Sequence, residues 1–352
     1  MAYSAVDKST DHFNVIKWTG TSSSPLNVTG FGFQPDFLWN KYANGAGDHQ
    51  QYDAVRGATK MIVSNSSNAE STNANGLTAF ITDGFTAGSD INVNGGISIA
   101  HGWKANGVGS ANSDGSITTT YTSANTTAGI SIVKWTGTGS NGTIGHGLGK
   151  VPGFYIVKRL DSSSDWRVYH KSADISSSYP AHKQLFLNTT GIPDDDNAIW
   201  NDTAPTSSVF SVGTNAGSNA SGGTYIAYVF AEIPGFSKFG KYYTNNTQTD
   251  GPFIYTGFKP AFIIAKQLSS SGYNWIMWNN KLNPTNKAQF FHHHPNTNDT
   301  WVDNTNNIDM LSNGFKFYSY DTETNGGSDT ISYIAFAAAP LVGSNNVPCT
   351  AR

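Results

Sequence analysis

Charge and cysteine are scarce in this sequence. Charged residues make up 13% of the 352 residues, about half the usual share, and the formal net charge is −3 without any run of Lys or Arg. Binding of nucleic acid through neutralisation of its phosphates is therefore not expected. The single cysteine, Cys349, excludes an internal disulfide and a cysteine-based metal site.

Long apolar runs and helical periodicity are also missing. The longest apolar run near the end, 333–342, is too short to span a bilayer, and no apolar segment follows Met1 as it would in a secretory signal. We therefore expect neither membrane insertion nor export by a signal peptide. The best helical pattern, at 53–64, covers one or two turns.

Enzyme motifs are absent as well. The sequence carries no Gly-x-Ser-x-Gly elbow, no phosphate-binding loop and no His-Glu-x-x-His motif. Glycosidases need two carboxylates that face one bond, yet glutamate occurs only at Glu70, Glu232 and Glu323. Asp165 or Asp299 would serve instead, but no motif pairs them. We predict that the protein is not an enzyme, with polysaccharide degradation as an alternative.

Aromatic residues, by contrast, are as frequent as charged ones, at 13%. Disordered chains are usually poor in aromatics, so this chain is expected to fold. Its polar surface must consist mainly of Asn, Ser, Thr and Gly. This composition is common in extracellular adhesins, spikes and fibres.

Three stretches of the sequence carry the same motifs in the same order. A Pro-led apolar run that ends in Lys occurs at 35–41, 152–158 and 260–266. In each stretch a segment with Gly next to Phe or Val follows, and then an Ile-Ala segment. The first two stretches also share Lys-Trp-Thr-Gly, and Tyr242 or Tyr243 takes the place of the Trp in the third. A module of roughly a hundred residues has therefore been copied.

The short aromatic and β-branched runs, separated by Asn-Gly and Asp-Gly turns, predict strands. We predict an all-β fold of three tandem antiparallel β-sandwich modules of the jelly-roll type. A linker rich in Gly, Ser, Thr and Asn is expected to hinge the first module loosely, whereas the apolar second junction indicates packed modules. The boundaries are an N-terminal arm (1–12), repeat 1 (13–105), the linker (106–129), repeat 2 (130–232), repeat 3 (233–342) and a C-terminal tail (343–352). We expect the arm and the tail to dock on a neighbouring subunit.

Aromatic residues beside Asn and Asp are candidates for sugar binding, because a ring stacks on the C–H face of a sugar while polar groups hold its hydroxyls. The alternative is that these rings pack in the core. The candidate residues are Trp200, Asn201, Asp202, Asp299, Trp301 and Tyr320.

The histidine run at 292–294 is a candidate metal site. In a threefold assembly, His292 and His294 from three chains would meet on the axis and hold a divalent metal. The alternative is a solvated polar loop. No other cofactor is expected.

Several longer motifs, at 52–60, 77–85, 145–149, 228–235 and 339–343, resemble a family of tailed-phage virion and tail proteins. This family carries a repeated domain of unknown function and is common in marine and freshwater phages, including cyanophage-like ones. The resemblance covers nearly the whole chain and implies a virion component. The pattern is also similar, more weakly, to concanavalin A-like jelly rolls.

The resemblance and the composition together predict a non-enzymatic virion structural protein. We expect a tail fibre or tail-associated receptor-binding component that contacts host surface glycan. One alternative is a capsid-surface decoration or head-fibre protein, and a second is a polysaccharide-degrading tailspike. The expected partners are other virion proteins and further copies of the chain, with a homotrimer suggested by other phage fibres. The protein would assemble in the host cytoplasm and lie exposed on the particle.

Overall fold

The computed structural model describes residues 4–21, 23–176, 179–247, 249–282 and 289–342, with only the backbone at 289–290 and 304–307. Strands dominate this part of the chain, and every ladder between them is antiparallel. The prediction of an all-β fold of antiparallel sheets is confirmed. None of the helices in the described ranges has the length and apolarity needed to span a bilayer.

Repeat 1 begins after a 3-10 turn at Ser9–Asp11 and contains two sheets. The large sheet has the order β1-β9-β3-β4-β5-β6, and the small sheet has the order β2-β8-β7. The strands are β1 (Phe13–Thr19), β2 (Leu26–Thr29), β3 (Phe37–Tyr42), β4 (His49–Asp53), β5 (Lys60–Val63), β6 (Ser71–Thr72), β7 (Leu77–Ile81), β8 (Gly84–Ala87) and β9 (Ile97–Trp103).

Repeat 2 has a large sheet of order β10-β11-β18-β13-β14-β15-β16 and a small sheet of β12 and β17. A 3-10 turn lies at Pro180–His182, and the two helices are α1 (Asn197–Trp200) and α2 (Ala216–Asn219). The strands are β10 (Tyr121–Asn125), β11 (Ile130–Thr136), β12 (Gly142–Gly145), β13 (Pro152–Arg159), β14 (Arg167–His170), β15 (Lys183–Phe186), β16 (Asp194–Asp195), β17 (Val209–Val212) and β18 (Thr224–Ala231).

Repeat 3 has a large sheet of order β19-β26-β21-β22 and a small sheet of order β20-β25-β24-β23. The strands are β19 (Ser237–Tyr243), β20 (Phe253–Tyr255), β21 (Phe258–Gln267), β22 (Trp275–Asn279), β23 (Gln289–His292), β24 (Val302–Leu311), β25 (Gly314–Phe317) and β26 (Thr330–Pro340).

The large sheets of the three repeats share one strand order. The strand that begins each repeat (β1, β11 or β19) pairs with the last strand, the last strand pairs with the Pro-led strand, and the Pro-led strand pairs with the strand after it. The Pro-led strand is β3 in repeat 1, β13 in repeat 2 and β21 in repeat 3. The count of three modules stays a prediction, and this recurrence supports it.

The central strands of each large sheet are buried on both faces. Along β3, Leu38 faces the small sheet of its own repeat, whereas Phe37 and Trp39 face a central core. Side chains from all three repeats contribute to that core. This is why the apolar runs of these strands are continuous rather than alternating with polar residues.

The centre of the molecule has a pseudo-threefold arrangement. Trp103, Phe230 and Phe336 each pair with the phenylalanine that lies two residues after the proline of the Pro-led strand. Their ring centroids form a triangle with sides of 6.1, 5.5 and 5.5 Å. The surrounding side chains leave a void of about 20 Å³, which has no room for a ligand larger than water.

The linker is ordered structure, contrary to our expectation. Residues of 121–125 form β10, which adds an edge strand to the large sheet of repeat 2. Ile117 and Ala128 are buried in the cores. Repeat 1 is therefore packed against the other repeats, and the expected loose hinge is wrong.

The arm also differs from expectation in the part that the structure describes. Val6 is buried in the central core, and the Ser4 hydroxyl donates to the carbonyl of Pro234 at 3.2 Å. This segment therefore docks on its own chain. The second junction is packed as predicted, since Ile233, Phe236 and Phe239 are buried. The tail (343–352) lies outside the described residues.

Candidate functional site

The first predicted sugar-binding ring, Trp200, lies in the core of repeat 2. Asp196 caps the short helix α1 by accepting from the backbone N–H of Ala198 at 2.9 Å, and the helix then turns Trp200 inward. Its side chain is fully buried, and its Nε1 donates to the carbonyl of Lys183 at 3.2 Å. A ring without exposed surface cannot stack on a sugar, so the assignment of Trp200 is wrong.

The residues that follow Trp200 lie outside the core. Asn201 and Asp202 both have positive φ, 52° and 46°, as the chain leaves α1. Asp202 is exposed, with one carboxylate oxygen 4.0 Å from Nε2 of His182. This corner offers polar groups but lacks the ring that we expected beside them.

The second predicted ring, Trp301, is half-buried between repeats 3 and 1. It stacks on Phe291 with centroids 4.6 Å apart, and its backbone N–H donates to the carbonyl of Ala43 at 2.8 Å. Asp299 is exposed nearby. Packing between the repeats therefore accounts for this ring. Of the predicted aromatic residues, Tyr320 has the most exposed surface, at 41%.

Sequence reasoning missed the aromatic strip, which we define as Phe253, Tyr255 and Tyr318 on the outer face of the small sheet of repeat 3. Their exposed fractions are 45%, 52% and 37%. Phe253 lies directly opposite Lys316, whose amine is 5.6 Å from the Tyr318 ring centroid. The sequence could have revealed the strip through the alternation of exposed and buried residues in β20, since buried Ile254 separates the two exposed aromatics of that strand.

A groove of about 470 Å³ adjoins this strip between repeats 2 and 3. Tyr255 and Lys238 both line the groove, and the Lys238 amine is 5.4 Å from the Tyr255 ring centroid. Glu232 lines the same groove and pairs with Lys171 at 2.6 Å. An aromatic face next to fixed charged and hydroxyl-binding groups suits a carbohydrate.

The predicted metal residues do meet, together with a third one. His292 and His294 lie on the same side of the chain at the end of β23, with ring centroids 5.1 Å apart. Nε2 of His294 is 3.6 Å from Oε2 of Glu323. One ligand atom from each of these three side chains lies within 4.8 Å of the others. We name these three residues the His–Glu cluster.

The electrostatics of the His–Glu cluster favour a charged carboxylate. Burial raises the pKa of Glu323, but interactions with His294 and the bond from Asn274 outweigh it and leave the pKa below its usual value. His293 points away from the cluster, and burial holds its pKa well below the usual value. The cluster forms within one chain and therefore does not need the threefold axis that we expected.

The lysine one residue before the end of each Pro-led strand contacts another repeat. Its amine donates to a carbonyl of its own hairpin, at 2.6–2.8 Å. It also donates across an interface: Lys41 to Asn298 (3.2 Å), Lys158 to Ser67 (3.1 Å) and Lys266 to Thr190 (3.1 Å). The contacts run from repeat 1 to 3, from 2 to 1 and from 3 to 2, which closes a ring. Burial lowers the pKa of each lysine to about 8.

A buried asparagine recurs five residues before the last strand of each repeat, at Asn92, Asn219 and Asn325. Its Oδ1 accepts from a backbone N–H that follows the first strand, and its Nδ2 donates to a carbonyl two residues further on. The constant spacing in sequence between this asparagine and the Ile-Ala strand could have revealed it before the structure did.

Arg56 forms a buried network between repeats 1 and 2. It pairs with Asp53 and with Glu70, the latter at 3.3 Å. The hydroxyl of Tyr228, in repeat 2, donates to Asp53 at 2.7 Å. The three-repeat body is therefore bound together by polar networks as well as by its central core.

Comparison with known proteins gives a match, which extends across the three repeats. Residues 8–340 match the profile of a family described as Domain of unknown function (DUF7483). The chain belongs to this family. The match spans all three repeats and assigns no activity. No curated protein and no solved structure matches the chain, so the resemblances to tailed-phage proteins and to concanavalin A-like jelly rolls stay predictions.

Proposed function

We propose that this DUF7483 chain is a non-enzymatic structural component of a tailed-phage particle. Its role would be that of a tail fibre or tail-associated protein that binds a glycan on the host surface. It would lie exposed on the particle, after assembly in the host cytoplasm, and contact other virion proteins. The single observation that supports the binding role best is the groove beside Tyr255.

The groove replaces the Trp200 corner as the proposed glycan site. Tyr255 offers an exposed ring, and Lys238 and Glu232 offer charged groups that hydroxyls can bond. The packed three-repeat body supports this role because it holds the groove without needing a partner to order it. Several copies on one particle would raise weak binding through effective concentration.

Glycan binding by purified protein tests this proposal. On a host-polysaccharide array, Tyr255→Ala is expected to weaken binding about 10-fold or more, since loss of an aromatic contact is worth roughly 1.4 kcal/mol or more. The control is Tyr179→Ala, which removes a 63% exposed tyrosine in repeat 2 and should leave binding unchanged. Equal binding by wild type and Tyr255→Ala would contradict the groove as the site.

A capsid-surface decoration or head-fibre protein is the second candidate, and the pseudo-threefold body favours it. One chain with three similar faces fits a threefold position on a symmetric shell without forming a homotrimer. Antibody labelling of intact particles separates the two roles. Labelling confined to the head would contradict the receptor-binding role, and labelling confined to the tail would contradict decoration.

A further inference from the structure

We propose that the His–Glu cluster of repeat 3 is a binding site for a divalent transition-metal ion, with Zn²⁺ as the best match. Two imidazoles and one carboxylate are a donor set that proteins use for zinc with a fourth position open. Hard cations such as Mg²⁺ and Ca²⁺ prefer oxygen ligands alone. The inference concerns a different part of repeat 3 from the groove and does not depend on glycan binding.

The spacing of the ligand atoms fits an ion between them. Ligands on a tetrahedral zinc ion lie about 3.3 Å apart, from metal–ligand distances near 2.0 Å. Nε2 of His294 and Oε2 of Glu323 are 3.6 Å apart, and the whole set lies within 4.8 Å. Small side-chain rotations would therefore complete the coordination without moving the strands.

Neighbouring amides hold the carboxylate in place. Oε1 of Glu323 accepts from both the backbone N–H and the Nδ2 of Asn274, each at 3.1 Å. Asn274 is itself held through its Oδ1, which accepts from Asn296 at 2.7 Å. Oε2 therefore remains directed towards the histidines, as second-shell bonds commonly arrange a metal ligand.

Comparison of the repeats shows that the fold does not require these side chains. The pairs Gln51–Ile62, Val168–Leu185 and Met277–His293 occupy the same place in the three repeats. Counted from these pairs, His292 and His294 correspond to Met61 and Val63 in repeat 1 and to Gln184 and Phe186 in repeat 2. Glu323, two residues before the recurring asparagine, corresponds to Asp90 and Gly217.

Repeat 2 fills the same corner with a cation of its own. Arg167 donates to Gln184 at 3.1 Å, and its guanidinium carbon lies 4.6 Å from the centroid of the Phe186 ring. A Cβ at Gly217 would lie 2.4 Å from Nε of Arg167. Repeat 3 has Ile276 at the position of Arg167, facing the core. The cation of this corner would then be a metal ion instead of a guanidinium.

The side-chain amide of Asn274, which donates to Glu323, is likewise particular to repeat 3. A second asparagine also recurs, at Asn65, Asn188 and Asn296. The residue that accepts from its side chain is Asp48 in repeat 1 and Asp165 in repeat 2, but Asn274 in repeat 3. An aspartate at 274 would repel Glu323, whereas the amide of Asn274 donates to it. Repeat 3 thus differs at four positions that together build one site.

An ion can reach the cluster from solvent. The side chains of His294 and Glu323 are 12% and 17% exposed, while His292 is buried. A bound ion would join the end of β23 to the turn that precedes β26. Since only the folded chain presents the three ligands together, binding should stabilise the fold.

Metal binding to the intact, tag-free chain tests the proposal. Isothermal titration of metal-stripped protein with Zn²⁺ should give one ion per chain, and Co²⁺ should produce the visible absorption of a tetrahedral site. Saturating Zn²⁺ should raise Tm by about 4 °C, the shift expected near 100 times Kd for a chain of this length. Folded wild-type protein that binds no Zn²⁺ would overturn the proposal.

Two variants and one control complete the test. Glu323→Gln preserves the shape and the Oε1 acceptor, and His294→Phe inserts the side chain that repeat 2 carries. Each should weaken Zn²⁺ binding by about 100-fold or more, because a ligand is lost. The control His182→Ala removes the partly exposed histidine beside Asp202 and should bind as wild type. Unchanged affinity in both ligand variants, or loss in the control alone, would place zinc elsewhere and overturn the proposal.

Discussion

Repeats 2 and 3 are built on the same strand order, yet they differ where the fold leaves them free to differ. Both carry a buried lysine near the end of the Pro-led strand, Lys158 or Lys266, and both carry the buried asparagine before the last strand. At one corner, however, repeat 2 has Arg167 against Gln184, and repeat 3 has the His–Glu cluster. Residues that recur join the repeats, and residues that do not recur carry the candidate chemistry.

The central core offers the strongest contrast with the surface. Phe230 is part of the central aromatic triangle, whereas Phe253 is 45% exposed on the aromatic strip. Phe230→Ala should lower the free energy of unfolding by about 4 kcal/mol, since it opens a cavity that three repeats line. Phe253→Ala should cost less than about 0.5 kcal/mol. Urea denaturation measures both, and similar losses would show that the centre does not hold the body together.

Lys41, Lys158 and Lys266 form a closed ring of contacts between the repeats, which we call the lysine ring. It is expected to contribute less to the free energy of unfolding than the core does, but more than surface ion pairs do. Lys158→Met removes the donor to two partly buried carbonyls, Ser67 and Ser164, so we expect a loss of about 2 kcal/mol in the free energy of unfolding. The control is Lys183→Met, which breaks an ion pair with exposed Asp195 and should cost about 0–1 kcal/mol. A loss in the control equal to that in Lys158→Met would argue against the ring.

A change to alkaline pH should give the smallest of the three changes in the free energy of unfolding. Each ring lysine has a folded pKa of about 8, below the unfolded value of about 10.4. Between these values the unfolded chain binds more protons, so stability rises with pH. One lysine should add about 1 kcal/mol between pH 8 and 9. The rise should be smaller by that amount in Lys158→Met, measured by urea denaturation at both pH values, and an identical rise would contradict the low pKa.

The sequence predicted the strands well because their signals are local. Pro-led aromatic runs and Asn-Gly turns require no knowledge of distant residues, and β3, β13 and β21 lie where those runs predict. The linker was misjudged for the opposite reason. Its Gly and Asn residues have low strand propensity, and β10 forms because β11 offers a free edge to pair with.

The candidate sites were only partly predictable. His292 and His294 stood out as a run, but Glu323 lies 29 or more residues further along the chain, and only the fold brings it to 3.6 Å from His294. Trp200 was assigned to a sugar site from its polar neighbours. Sequence neighbours cannot show that a four-residue helix turns the ring into the core while Asn201 and Asp202 remain outside.

Composition and repetition alone predicted an all-β chain, and one frame used three times, because strand and turn preferences act within a few residues. The tertiary structure decided that the three copies form one body. Three sheets with apolar residues on both faces can remove the second face from water only by packing on one another. That packing brings Trp103, Phe230 and Phe336 together, buries the lysine ring at the interfaces and leaves the corners of each repeat free to differ.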